Sequence, residues 1–220
     1  MRAICIWMVV LAFGMALSAT PVLAAGLQDD VNQAATILER FQALPEKGIP
    51  RTVLKDARGV AILTVIKAGF GLSGRGGAGV VVARTAKGWS GPSGIGTGGA
   101  GFGLQIGAQV TEFVIILNTE AAVKAFAQGA NVALGGGLSV AAGPIGRNVE
   151  AALLPVAAVY TYSRSQGLFA GISLEGTIIG TRNDANAAYY GRAVSAEDIL
   201  SGKVAPPAGA ERLRKVLAKY

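Results

Sequence analysis

The chain has 220 residues, 51% hydrophobic and 15% charged, with 20 basic and 13 acidic residues and a net charge of +7. It has no histidine and a single cysteine, Cys5, which excludes Ser-His-Asp and Cys-His nucleophiles, histidine-ligated zinc and an internal disulfide. Glycine occurs 32 times, about twice its ordinary ~7% share, but without a three-residue period and interleaved with Val, Ile, Leu and Phe, so neither collagen nor disorder fits.

Arg2, the apolar run 4–17 and the small residues Val22 and Ala24 have the layout of a secretory signal peptide. The run is shorter than the ~20 residues a spanning helix needs. Cleavage near Ala24 is therefore expected, leaving residues 25–220 as one domain in the periplasm or secreted. Next, Leu27, Val31, Ala34, Leu38 and Phe41 recur at helical spacing, with Asp29 and Asp30 in the first turn. Pro50 opens a short helix at 52–56. Apolar, β-branched runs predict strands at 59–66 and 79–84, joined by a glycine-rich connection, and two more at 102–109 and 112–117.

Asn118 or Thr119 caps a central helix at 120–128. Further strands are expected at 132–141, 157–163, 167–174 and 177–180. Tyr189 and Tyr190, ahead of Gly191, are expected to pack inward. Ser195 caps a helix at 197–200, with Asp198 at the capping-box distance. A last helix spans 211–220. The pattern predicts an α+β domain: a highly curved, Gly-rich antiparallel sheet or barrel-like core, helices at both ends and one central helix. An outer-membrane barrel fits poorly, because the strands fall short of the ~9–11 residues a crossing needs.

Gly69, Gly71 and Gly74 match G-x-G-x-x-G, as do Gly96, Gly98 and Gly101, but neither match opens a predicted helix, which argues against a dinucleotide site. The acids Glu112, Glu150, Glu175 and Asp184 stand singly, without a pair placed for acid–base chemistry. No catalytic residue, metal site or cofactor is expected. Residues 51–87 carry seven basic residues against one acid, Asp56, which points to a surface that meets an anion. Nucleic acid is not expected, since aromatics for base stacking are not interleaved with these charges. Phe70 and Trp89, beside glycines, fit either insertion at a membrane interface or packing in the core.

Five separated blocks carry a resemblance: V-I-K-A-G-F-G-L-S-G-R-G-G from Val65, G-W-S-G-P-S-G-I-G from Gly88, A-A-G-P-I-G-R from Ala141, S-R-S-Q-G-L-F-A-G-I-S-L-E-G from Ser163 and D-A-N-A-A-Y-Y-G from Asp184. Over about 54–200 the chain resembles the SYLF domain, also called the Ysc84 domain. The resemblance implies a non-enzymatic module that associates peripherally with anionic phospholipid, with a phosphoinositide-like headgroup. Lys67, Arg75, Arg147 and Arg164, inside the blocks, would bind headgroup phosphate, with Arg51, Lys55 and Arg58 extending the basic face. Lys67 and Arg75 are expected on turns, whereas Arg147 and Arg164 have the stronger claim to structural pairing. The resemblance also implies actin binding for eukaryotic members, from which export would separate this chain. An envelope scaffold or protein-interaction module is the alternative.

Overall fold

The helical spacing after Gly26 folds as α1 (Leu27–Ala43), which buries Val31, Ala34, Leu38 and Phe41 and keeps Asp29 and Asp30 at its positive end. The structure, a computed structural model, describes residues 26–44, 48–128, 132–133, 140–142, 157–167 and 178–220. α2 (Arg51–Asp56) starts directly after Pro50, one residue earlier than expected.

The connection expected between two short strands is itself strand. Residues 59–85 form one element, β1 (Gly59–Thr85), and β3 (Ser93–Leu117) absorbs both strands expected at 102–109 and 112–117. The two pair antiparallel from Gly59 opposite Leu117 to Val81 opposite Ser93, with a register shift between Phe70 and Leu72. β2 (Gly88–Trp89) turns the ribbon at its far end. Glycine weakens an isolated strand, but here it allows β1 to double back along itself. A Cβ on Gly79 would meet the Ile62 carbonyl and lie 2.5 Å from the Leu63 Cα, and one on Gly77 would lie 2.7 Å from the Thr64 carbonyl. The Arg84 N–H donates to the Arg58 carbonyl at 2.8 Å. The two ends of β1 therefore lie together, and the register shift at 70–72 marks the apex of a folded ribbon.

β6 (Val159–Gly167) extends the sheet beside β3, and β7 (Ile178–Thr181) pairs with both β3 and β4 (Val132–Ala133). β5 (Val140–Ala142) runs parallel to β6, among the described residues the one departure from the expected antiparallel pairing. The main path runs β2-β1-β3-β6-β5 and is not closed into a barrel. The rest of the strand expected at 167–174 lies outside the described residues.

Thr119 caps α3 (Glu120–Ala127), accepting from the Ala122 N–H, while Asn118 donates instead to the Ala157 carbonyl. α4 (Asn183–Tyr190) ends on Gly191 at φ 69°, a left-handed position suited to glycine. Ser195 caps α5 (Ala196–Leu200) as expected, its hydroxyl accepting from the Asp198 N–H; the Asp198 carboxylate answers by accepting from that hydroxyl rather than from the Ser195 backbone N–H of a capping box. α6 (Glu211–Leu217) is three residues shorter than expected.

The period of two along β1 and β3 divides the core. Val60, Ile62, Val114 and Ile116 pack with α1, α2 and α6; Ala61, Leu63, Phe113 and Ile115 pack with Phe126 of α3 and Leu200 of α5. Among the described residues no helix is long and apolar enough to cross a membrane.

Candidate anion-binding surface

α2 is a short helix with its apolar side buried through Val53 and Leu54. That packing turns Arg51 and Lys55 outward, and Arg58, just past the helix, is exposed as well. Among the described residues none of the three makes an ion pair; the pairs present are Arg40–Glu112, Arg182–Asp30, Lys203–Asp198, Arg212–Glu39 and Lys215–Glu211. Arg84 fixes α2 in place: its guanidinium donates to the Leu54 and Ala57 carbonyls at 3.1 Å and lies 4.4 Å over the Trp89 ring. This cation of the basic run thus satisfies helix-end carbonyls.

Folding adds two cations that the basic run does not contain. Lys219 shares with Arg51 a cleft of about 670 Å³, also lined by Gln42, Ile49, Thr52 and Tyr220. Burial pushes the Tyr220 phenol up, with the Arg51 charge acting in the opposite direction. Lys124 shares with Arg58 a groove of about 380 Å³ that has Ala83 and Leu200 among its apolar lining and Glu120 and Glu197 among its acids. Charge is the only sequence signal these lysines carry, and chain distance hides their neighbours.

Lys67 and Arg75 are not on turns. Both are half-buried residues of β1; Lys67 stands opposite Gln109 and Arg75 opposite Gly99. The Arg75 side chain lies across β3, its Nε 2.9 Å from where a Gly99 Cβ would be. Arg58 and Lys67 are nine residue steps apart along the chain, ~30 Å at ~3.3 Å per residue. The expected basic face is therefore two groups, one at α2 and one flanking the ribbon apex.

Arg164 stands opposite Glu112 in the β3–β6 register, and Thr64 stands opposite Glu112 on β1. Glu112 is buried and accepts from Arg40 of α1 at 2.5 Å. Arg147 lies outside the described residues. Phe70 is placed by backbone register only, opposite Ile106. Trp89 is 5% exposed and packs in the core with α1 and α6, and its carbonyl accepts from Arg214 at 3.0 Å. The membrane-inserting role considered for Trp89 is thereby corrected, because the ring is already enclosed.

Two of the motif blocks interlock. The Asn186 amide accepts from the Gly94 N–H at 2.7 Å and donates to the Ser93 hydroxyl at 3.1 Å. Tyr190 donates to the Pro92 carbonyl at 3.0 Å, and a Cβ on Gly91 would meet the same hydroxyl. Arg182 joins α4 to α1 through Asp30 at 2.6 Å. Burial pushes the Asp30 carboxyl up, against the opposing pull of Arg182. These blocks hold the hairpin turn against the helices.

A family model described as "Ysc84: Las17-binding protein actin regulator" matches residues 98–220. The human SH3 domain-containing YSC84-like protein 1 is 48% identical over 206 residues, covering 90% of this chain and 60% of the human protein. LAS seventeen-binding protein 3 of Saccharomyces cerevisiae is 48% identical over 201 residues, covering 87% of this chain and 44% of the yeast protein. An SH3 domain-containing protein of Schizosaccharomyces pombe is 47% identical over 205 residues, covering 89% and 48%. The chain thus spans about half of the length of these relatives, from 44% to 60%. No solved structure gives a significant match.

Proposed function

Because the chain belongs to the Ysc84, or SYLF, family, we propose that it is a binding module rather than an enzyme and that its ligand is an anionic phospholipid surface. The observation that supports this reading is the exposure of Arg51, Lys55 and Arg58 without an ion pair among the described residues, with Lys219 and Lys124 at the two ends of the same edge. Each Lys or Arg near an anionic surface contributes ~1 kcal/mol, enough in sum for peripheral, salt-sensitive attachment without an acyl chain. Asp56, Glu120 and Glu197 on this edge oppose the attraction, so binding rises steeply with the density of lipid charge. Lys67 and Arg75 supply a second contact near the apex. Arg164, beside Glu112, is assigned to sheet pairing. By family resemblance the headgroup extends to phosphoinositide-like lipids, and residues 1–24 serve as a cleaved export signal.

Flotation with vesicles of neutral lipid, with and without an anionic lipid, tests the reading. The Arg51→Glu, Lys55→Glu, Arg58→Glu variant is expected to lose flotation with anionic vesicles while keeping the parent's circular dichroism. Parent-like flotation of that variant would remove α2 from the site.

The groove between α3 and α5 favours a second reading, a protein-interaction module, because it combines an apolar lining with charges of both signs. The family description and the relatives' names, which mention Las17 and LAS seventeen, agree with it. Co-sedimentation with filamentous actin, without flotation on any vesicle, would select this alternative.

A further inference from the structure

The groove between α3 and α5 carries two cations and two carboxylates that the fold leaves open. Glu120 and Lys124 belong to α3, Glu197 to α5, and Arg58 immediately precedes β1; all four are exposed. Among the described residues none of them makes an ion pair. Sequence spacing does not account for this, because Glu120 and Lys124 stand four apart on a helix just as Glu211 and Lys215 do, and that second pair closes to 2.7 Å. Arg84, the remaining charge in the groove, is engaged by the Leu54 and Ala57 carbonyls and the Trp89 ring. Beneath the charges the lining is apolar: Ala83 and Leu200 are buried, and Val123 and Ala127 pack half-buried beside them. Such a groove complements a molecule that carries both signs of charge a short distance apart, rather than a simple anion.

We propose that the groove takes the headgroup of a zwitterionic phospholipid with a primary ammonium, of the phosphoethanolamine class. Arg58 and Lys124 donate to its phosphate, and its ammonium donates to Glu120 and Glu197. The inference rests on the membrane reading above and gives the groove a lipid occupant in place of a protein one. Two observations favour the lipid. The volume of about 380 Å³ suits a small ligand, and Arg58 belongs both to the groove and to the exposed α2 edge, so a bilayer met by that edge brings headgroups to the groove's mouth. A primary ammonium offers three N–H donors to carboxylates. A quaternary one offers none and is held instead by aromatic faces, and among the described residues lining the groove none is aromatic. The groove therefore selects ethanolamine over choline, and the two acids that oppose purely anionic lipid become contacts.

The test is flotation with vesicles in which phosphatidylglycerol is held constant while phosphatidylcholine is replaced by phosphatidylethanolamine. The parent should bind the ethanolamine vesicles about tenfold more tightly, the scale of one charge-assisted hydrogen bond. Glu120→Gln with Glu197→Gln should bind the choline vesicles at least as well as the parent, because two opposing charges are gone, and should gain nothing from ethanolamine. A parent indifferent to the exchange overturns the inference, as does a variant that keeps the gain because ethanolamine alters lipid packing; in both cases the α2 reading stands. No flotation with any of these vesicles overturns both. Without any variant, glycerophosphoethanolamine but not glycerophosphocholine should shift the Lys124 and Ser201 amide resonances of the protein, and equal shifts from the two would also overturn the inference.

Discussion

Gly79 and Gly74 are five residues apart in β1 and call for opposite outcomes on substitution. A Cβ at Gly79 runs into the backbone of Ile62 and Leu63, whereas one at Gly74 meets nothing within 4 Å. Gly79→Ala should cost about 2–3 kcal/mol, the range of overpacking that moves backbone, and Gly74→Ala should stay within ~0.5 kcal/mol. Urea midpoints of the two variants check this, and equal midpoints would mean that β1 does not double back. Asn186→Ala strands the Gly94 N–H, whose partner it is, and should cost about 1–3 kcal/mol in the same assay. Asp30 adds a pH dependence. Burial raises its pKa despite Arg182, so the folded chain holds the proton more tightly than the unfolded one. Its stabilising contribution is then full below the ordinary carboxylate pKa of ~4 and is lost as pH rises through the raised value. The parent should therefore lose stability relative to Asp30→Asn as pH rises through that window; a gain would mean that the Arg182 charge outweighs burial.

At the level of elements, the helices were the legible part. Their apolar spacing and the Thr119 and Ser195 caps are local signals, and each appears where the sequence places it. The long strands were not legible, because Gly69 to Gly79 reads as a breaker when the crossing leg that needs bare backbone is out of view. The same blindness placed Lys67 and Arg75 on turns, and it missed Lys219 and Lys124, which meet Arg51 and Arg58 only through tertiary folding. The interlocking of Asn186 and Tyr190 with residues 92–94 shows why some motif blocks resemble binding loops while serving the architecture. Lys67→Glu with Arg75→Glu should weaken vesicle binding less than reversal of Arg51, Lys55 and Arg58, since two half-buried cations present less charge to the surface than three exposed ones. Flotation of both variants side by side measures the order, and a larger loss from the apex pair would make the apex the principal contact.

Across the whole molecule, the basic edge at α2 and the ribbon apex at 70–72 lie at opposite ends of one folded ribbon, with helices packed on both of its faces. If residues 1–24 act as the proposed export signal, mass spectrometry of the N-terminus should find the mature protein beginning at Ala25; an intact Met1 chain in the membrane would indicate an anchor instead. The central claim is attraction of the folded chain to anionic lipid. It is tested most directly by flotation of the purified protein with phosphatidylglycerol-containing and neutral vesicles across a salt series. Charges at the surface are screened within ~8–10 Å at physiological ionic strength, so binding is expected only with the anionic vesicles and should fall steeply as salt is added. Equal binding to neutral vesicles, or no binding to either at low salt, would contradict it.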